Sequence, residues 1–219
     1  MPTRNEIIKL EENGWVAWVR PPAEPVPSSL YILLHGWTGT EEVMWVFAHG
    51  FPRSAWTISP RGLVPAEGGG FGWAGNRQGI NTPLEQFKPA VEALHRFLED
   101  WTARQNIRSL PRNLVGFSQG AALAYAYSLI HPEEVHAVAG MAGFLPAGSE
   151  GYFPGKPLQG KPVFVAHGSL DETVPIDAAG RAVRGLESAG ARVTYCVTDV
   201  GHKLGAACLR SLNQFVSGL

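Results

Sequence analysis

The length and composition of the chain favour a single folded domain across residues 1–219. Of its 219 residues, 45% are hydrophobic and 17% are charged, a balance that argues against intrinsic disorder. The formal net charge is −1, and the lysines and arginines are scattered singly, which excludes charge-driven binding of nucleic acid or of an anionic bilayer. No apolar run approaches the roughly 20 residues of a membrane span.

The N-terminal sequence and the two cysteines indicate the cellular compartment of the protein. Residues 1–6 lack a basic segment followed by a long apolar stretch, so we expect no signal peptide. Cys196 and Cys208 form no CxxC motif, and we expect both to be reduced and packed as small apolar side chains. These features predict a cytoplasmic protein without a metal site.

Short apolar runs alternate along the chain with longer helical stretches. The predicted strands are residues 15–20, 30–34, 55–59, 113–117, 135–139, 162–166 and 192–197. The predicted helices are residues 41–49, a long helix opened by Pro83, and residues 119–130, 177–188 and 204–216. The run at 30–34 is continuously apolar, which indicates a strand buried on both faces. The alternation predicts an α/β fold with a mostly parallel central sheet and helices on both faces.

A glycine-rich segment precedes the long helix. Residues 60–82 contain seven glycines and show little periodicity, which predicts a long irregular loop of functional importance. After Pro83, apolar residues recur at three- and four-residue steps and predict one core-facing stripe. These residues are Val91, Leu94, Leu98 and Trp101.

Residues 116–120 have the pattern G-x-S-x-G between a buried strand and an alanine-rich helix. The chain must turn sharply there, so the flanking Gly116 and Gly120 give room for close backbone approach. Ser118 would then stand at a helix N-terminus, where unpaired N–H groups favour developing negative charge. The pattern predicts that Ser118 is a nucleophile.

A serine nucleophile needs a base, which in this strand-turn-helix arrangement follows the acid in the chain. His202 follows Gly201 in the loop between the last strand and the last helix, and it is the predicted base. His131, His136 and His167 also lie beyond Ser118. They fit the order or the loop position less well, and we interpret His167 as structural.

The predicted acid is Asp171, because it lies just beyond the end of the strand at 162–166. Asp199 ranks second, since it is only three residues from His202 and would have to fold back to hold the imidazole. Glu172 and Asp177 remain competitors, although Asp177 suits the start of the next helix.

An early strand ends in a loop with the sequence His35-Gly36-Trp37-Thr38-Gly39. Acyl transfer needs two N–H donors, one after the nucleophile and one from such a loop. The predicted donors are the backbone N–H groups of Trp37 and Gln119. We interpret His35 as a structural residue of this loop.

Four motifs carry a family resemblance: Leu34-His35-Gly36, residues 116–120, His167-Gly168-x-x-Asp171-x-x-Val174-Pro175 and Gly201-His202. Together they resemble the phospholipase/carboxylesterase family over the chain from about residue 30 onward. The resemblance implies an α/β-hydrolase fold without a large cap domain. It also implies hydrolysis of carboxylic esters or thioesters by Ser118, Asp171 and His202, with Trp37 and Gln119 as oxyanion donors. Trp37 stands where family members often carry leucine.

The sequence therefore predicts a serine hydrolase that cleaves carboxylic esters of small or medium acyl groups without a cofactor. An acyl thioesterase or lysophospholipase acting on longer chains is the second enzyme hypothesis. A non-catalytic binding module on the same scaffold is the third, and homodimer formation stays open. The residues expected to line a substrate pocket are Trp73, Phe144, Leu145, Val174 and Leu204.

Overall fold

The fold is built from ten strands, four α-helices and short 3-10 helices, seen in a computed structural model that describes residues 7–75 and 79–219. The strands are β1 (Ile8–Glu12), β2 (Trp15–Arg20), β3 (Ser29–Leu34), β4 (Ala55–Pro60), β5 (Val64–Pro65), β6 (Phe71–Gly72), β7 (Arg112–Phe117), β8 (Ala137–Met141), β9 (Pro162–Gly168) and β10 (Arg192–Thr198). The α-helices are α1 (Leu84–Arg104), α2 (Gln119–Ile130), α3 (Ile176–Ser188) and α4 (Ala206–Ser217). The 3-10 helices are Val43–Gly50, Gly79–Asn81, Pro132–Glu134 and Ser149–Tyr152.

Eight strands form the central sheet in the order β1-β2-β4-β3-β7-β8-β9-β10. β2 pairs antiparallel with both β1 and β4, and every other neighbouring pair in this sheet is parallel. The prediction of a mostly parallel sheet with helices is confirmed. Because the parallel strands run in one direction, the loops after β3, β7, β9 and β10 meet at the same edge of the sheet.

The sheet is covered on both faces, as β3 illustrates. Leu30, Ile32 and Leu34 belong to the apolar layer formed with α1, α2 and α3. Tyr31 and Leu33 belong to the opposite layer, which includes residues of α4 and of the 3-10 helix Val43–Gly50. Alternate residues of a strand point to opposite faces, so a strand with two covered faces is apolar throughout. This explains the continuous apolar run that predicted β3.

The longer connections of the described chain hold no large cap domain. Residues 61–75 contain the small antiparallel pair β5–β6, and residues 142–161 contain only the 3-10 helix Ser149–Tyr152. The predicted irregular loop at 60–82 is therefore partly ordered into a hairpin, and its residues 76–78 lie outside the described chain. No helix among the described residues is long and apolar enough to cross a membrane.

Several elements differ from the sequence prediction, most of them by one or two residues at an end. The helix expected at residues 41–49 is the 3-10 helix Val43–Gly50. β8 begins at Ala137 rather than at residue 135, and Val135 and His136 connect it to the 3-10 helix Pro132–Glu134. β1 was not predicted, and it is an edge strand that pairs only with β2.

The expectation that both cysteines are reduced is wrong. Cys196 on β10 and Cys208 on α4 form a disulfide, with their Cα atoms 5.7 Å apart. Cys208 is fully buried beneath the sheet, and the packing of α4 against β10 brings the two residues together. A cytoplasmic location loses the support of reduced thiols and stays a prediction.

Reduction of this disulfide is expected to lower the free energy of unfolding by about 3 kcal/mol, because the bridge closes a short loop in the unfolded chain. The two cysteines are 12 residues apart in sequence. The corresponding fall in Tm is about 6–12 °C for a domain of this size. Thermal unfolding with and without a phosphine reductant measures it. A variant with both Cys196→Ser and Cys208→Ala is the control, and a reductant effect of equal size on that variant would contradict the assignment.

Candidate active site

Ser118 lies at the sharp turn between β7 and α2. Its backbone has φ 54° and ψ −118°, a conformation that costs a non-glycine residue roughly 1–3 kcal/mol. The turn is held in part by a hydrogen bond from the Ser118 N–H to the carbonyl oxygen of Met141 at the end of β8 (2.9 Å). The strained turn projects the hydroxyl at the carboxyl edge of the sheet.

The two glycines of the G-x-S-x-G pattern are required for packing. A Cβ atom on Gly120 would overlap the carbonyl oxygen of Leu34 in β3, and a Cβ atom on Gly116 would overlap the backbone of Gly120. Neither glycine has a positive φ. The pattern therefore reflects how closely α2 crosses the ends of the two neighbouring strands.

Three side chains that are far apart in sequence form one hydrogen-bonded chain. The His202 Nε2 atom lies 3.0 Å from Ser118 Oγ, and His202 Nδ1 lies 2.7 Å from Asp171 Oδ2. An ionised carboxylate only accepts hydrogen bonds, so Nδ1 carries the proton. The lone pair of Nε2 is then free to accept the hydroxyl proton of Ser118.

The Asp171 carboxylate is buried, and both of its oxygens accept hydrogen bonds. Its Oδ1 atom accepts hydrogen bonds from the N–H groups of Thr173 and Val174, both at 2.9 Å. His167 is buried behind it. The His167 Nε2–H donates to the carbonyl oxygen of Val174 (2.7 Å) and lies 3.4 Å from Asp171 Oδ2. These contacts agree with a structural role for His167.

The loops that carry Asp171 and His202 are joined to each other. The N–H of Ser169 donates to Thr198 O (2.9 Å), and the N–H of Leu170 donates to Val200 O (3.1 Å). The hydroxyl of Ser169 donates to Asp199 Oδ1 (2.6 Å). Asp199 thus ties the two loops together and makes no contact with the imidazole among the described hydrogen bonds.

The remaining alternatives lie away from this chain of hydrogen bonds. Glu172 and Asp177 are exposed. His131 is at the far end of α2, beside Glu92, and His136 precedes β8 at the opposite edge of the sheet. Of the histidines and carboxylates considered from the sequence, the structure brings only His202 and Asp171 into hydrogen-bonding distance as a pair leading to Ser118.

Two backbone N–H groups beside the serine, those of Gln119 and Trp37, donate to no acceptor among the described residues. Gln119 is the first residue of α2, so its N–H has no acceptor within the helix. Gly36 packs against the serine, since a Cβ on Gly36 would lie 3.2 Å from Ser118 Cβ. The next residue is Trp37, whose N–H donates to no acceptor among the described residues.

His35 holds this loop in place. Its Nδ1–H donates to Gly36 O and its Nε2 accepts from the N–H of Gly62, both at 2.8 Å. The indole N–H of Trp73 donates to His35 O (2.8 Å). Burial lowers the pKa of the His35 imidazole, against a smaller opposite effect of the hydrogen bond with the Gly36 carbonyl. The neutral form that this favours is the one able to accept from Gly62.

An ion pair joins the loop after β3 to the segment that leads into β5. Arg61 donates to Glu41 through two hydrogen bonds, Nε to Oε2 (2.7 Å) and a terminal nitrogen to Oε1 (2.5 Å). The Arg61 guanidinium also lies over the Phe71 ring, 4.8 Å from its centre. Hydrogen bonding by Arg61 lowers the pKa of the buried Glu41 carboxyl. The pair remains charged and acts as a fixed anchor.

The side chain of Gln119 has a function that sequence analysis did not predict. Its Oε1 atom accepts from the N–H of Trp73 (2.8 Å), and its Nε2 donates to Ala74 O (2.9 Å). The segment after β6 is therefore bound to the first residue of α2. The only sequence signal was the glutamine inside the G-x-S-x-G pattern.

The five residues expected to line a pocket are dispersed. Trp73, Phe144 and Val174 are buried in the core layer formed with α1, α2 and α3, so they present little open surface. Leu145 lines a cleft of about 380 Å³ beside Arg181 and Arg184 on α3.

Leu204 lines a different cleft, of about 400 Å³, which begins at Gly36 beside the serine. We call it the apolar cleft, and its principal apolar residues are Trp37, Val43, Val46, Phe47, Phe117 and Leu204. Of the residues expected in the pocket, Leu204 is therefore the one that lines a cleft shared with Gly36, the glycine that packs against Ser118.

The comparison with protein families agrees with this site. The model of the phospholipase/carboxylesterase family matches residues 17–219. The chain belongs to the phospholipase/carboxylesterase family. No curated protein sequence matches it. The family and the esterase structures that resemble this chain support an enzyme, a carboxylic ester hydrolase.

Solved structures show the same fold along nearly the whole enzyme. The esterase PE8 is 25% identical, with a TM-score of 0.78, over 91% of this chain and 96% of its own. A carboxylesterase from Mesorhizobium loti is 21% identical, with a TM-score of 0.84, over 99% and 100% of the two chains. The Bacillus cereus carboxylesterase is 20% identical, with a TM-score of 0.82, over 94% and 95%.

Proposed function

We propose that this enzyme is a serine esterase in which Ser118, His202 and Asp171 act as nucleophile, base and orienting acid. The observation that carries the proposal is the hydrogen-bonded chain from Asp171 through His202 to Ser118. A serine hydroxyl is a weak nucleophile until a base accepts its proton. A buried carboxylate beside the base keeps the correct tautomer and stabilises the imidazolium that forms.

Acylation begins when Ser118 Oγ attacks the carbonyl carbon of the ester and its proton moves to His202 Nε2. The carbonyl oxygen becomes an oxyanion, which the N–H groups of Trp37 and Gln119 stabilise at the positive end of α2. The tetrahedral intermediate then collapses. The bond to the alcohol oxygen breaks, that oxygen takes the proton from His202, and the acyl group remains on Ser118.

Deacylation repeats these steps with water. His202 Nε2 accepts a proton from the water molecule as it attacks the acyl carbon, and returns the proton to Ser118 Oγ when the carboxylic acid leaves. The same two N–H groups bind the second oxyanion. The substrates we propose are esters of small or medium acyl groups.

Covalent labelling tests the proposal. A fluorophosphonate probe reacts with a serine only when a neighbouring base activates it, so we expect one adduct, on the peptide that contains Ser118. Mass spectrometry of the digested protein locates the adduct. Heat-denatured protein is the control and should remain unlabelled. An adduct on another serine, or none on native protein, would reject the assignment.

A further inference from the structure

The apolar cleft extends from the reaction centre along the 3-10 helix Val43–Gly50. Val43 and Val46 are three residues apart on this helix, a spacing that places both side chains on one side of it. Their exposed fractions are 51% and 60%. Exposed apolar side chains that line a cleft beside a reaction centre indicate an apolar ligand.

The wall of the cleft nearest the oxyanion loop is fixed. The Trp37 indole packs directly on Gly72 of β6, where a Cβ atom would overlap the ring. Phe117 and Phe47 also line the cleft, and their rings stack with their centres 6.3 Å apart. Aromatic side chains therefore form a large part of the lining of the cleft. Its volume of about 400 Å³ is within the range of small-molecule sites.

The position of the cleft relative to His202 decides which part of the ester it takes. Lys203 and Leu204, which line the cleft, directly follow His202 in the chain. The Phe117 ring lies 5.0 Å from the imidazole, centre to centre. In acylation the alcohol oxygen must receive its proton from His202 Nε2, so the alcohol leaves on the side of the imidazole.

We infer that the apolar cleft binds the alcohol part of the substrate, and that the enzyme prefers esters of apolar aliphatic or aromatic alcohols. The inference rests on the proposed function and names the substrate class of the same site. The cleft contributes to acylation and is vacated before deacylation, because the alcohol has then departed. Substrate selection by this cleft therefore depends on alcohol structure and is independent of acyl chain length.

Two ester series test the inference. One joins acetate to methyl, butyl, hexyl and benzyl alcohol, and the other joins acyl groups of increasing length to p-nitrophenol. In the first series kcat/KM is expected to rise about threefold to fourfold for each methylene that the cleft covers, the factor that corresponds to burial of one CH₂ group. A flat alcohol series would overturn the inference.

Val46→Asp is the decisive variant, because it places a charge in the cleft at an exposed position. It should remove the rise along the alcohol series, with a loss of about tenfold or more on hexyl acetate. In the acyl series it should lower kcat/KM by the same factor for every ester, because all of them share the alcohol p-nitrophenol. Val46→Trp fills the cleft with an apolar side chain. It should lower kcat/KM more for the longer alcohols than for the shorter ones.

Val26→Asp is the matched control, since Val26 is 78% exposed and precedes β3 at the opposite edge of the sheet. It should retain the full rise. A Val46→Asp effect that grows with acyl length, or an equal loss on every ester of both series, would reject the alcohol assignment. Labelling of Ser118 by the fluorophosphonate probe would still stand in that case. Failure of labelling would instead reject the proposed function itself.

Discussion

Replacement of Ser118 by alanine is expected to lower kcat/KM for a short p-nitrophenyl ester by at least about 10⁴-fold. The change removes only Oγ, the atom that lies 3.0 Å from His202 Nε2. Without it no acyl-enzyme forms. The residual rate then comes only from substrate binding and from the N–H donors of the oxyanion site. Alanine retains the Cβ atom at this strained position, so the backbone geometry is preserved.

Steady-state kinetics together with circular dichroism separate a chemical effect from misfolding. Ser211→Ala is the matched control, since the Ser211 hydroxyl lies on α4 and donates only to Ala207 O within that helix. It should keep its activity. If Ser118→Ala retained more than about a tenth of the wild-type kcat/KM, another residue would be the nucleophile and the proposed function would fail.

Much of the fold is predictable because local patterns follow directly from burial. Residues 30–34 of β3 form a continuous apolar run since they face two different core layers. The α1 residues Val91, Leu94, Leu98 and Trp101 are all buried, as their helical spacing indicates. The order of the strands and the elbow at Ser118 then set the edge of the sheet at which the site lies.

The sequence carries a local signal for β1 in the turn that follows it. Asn13 and Gly14 both have positive φ, 50° and 82°, and join β1 to β2 in a two-residue hairpin. Asn-Gly between two strand segments is the strongest short-range sign of such a turn. In β1, Ile8 and Leu10 also alternate with polar residues, the pattern of an edge strand.

Other features depend on tertiary contacts that no local pattern encodes. Cys196 and Cys208 come together only because α4 packs against β10. The hydrogen bond between Gln119 and Trp73 joins residues 46 positions apart. The apolar cleft likewise combines the loop after β3, the 3-10 helix and the loop after His202. The sequence therefore indicates the proposed triad and structural roles for His35 and His167, but not the contacts of the Gln119 side chain or the residues that form the apolar cleft.

Replacement of Asp171 by asparagine is expected to lower kcat/KM about 10⁴-fold at neutral pH, a loss comparable to that expected for Ser118→Ala. The N–H groups of Thr173 and Val174 both donate to one carboxylate oxygen, Asp171 Oδ1. An asparagine would place its carbonyl oxygen there, because an amide nitrogen at that position would face two donors. Its NH₂ group would then occupy the position of Oδ2, which lies 2.7 Å from His202 Nδ1.

That exchange reverses the hydrogen bond that orients the imidazole. Nδ1 would have to accept from the amide, which moves the imidazole proton to Nε2, so Nε2 could no longer accept the proton of Ser118. The NH₂ group would also face the Nε2–H of His167, which lies 3.4 Å from Oδ2. Kinetics of Asp171→Asn and of Asp199→Asn, the exposed carboxylate on the neighbouring loop, provide the comparison. Asp171→Asn should lose activity by orders of magnitude. Asp199→Asn should stay within about tenfold of the wild type, since Asp199 contributes a single exposed hydrogen bond. Any other outcome would reject Asp171 as the acid.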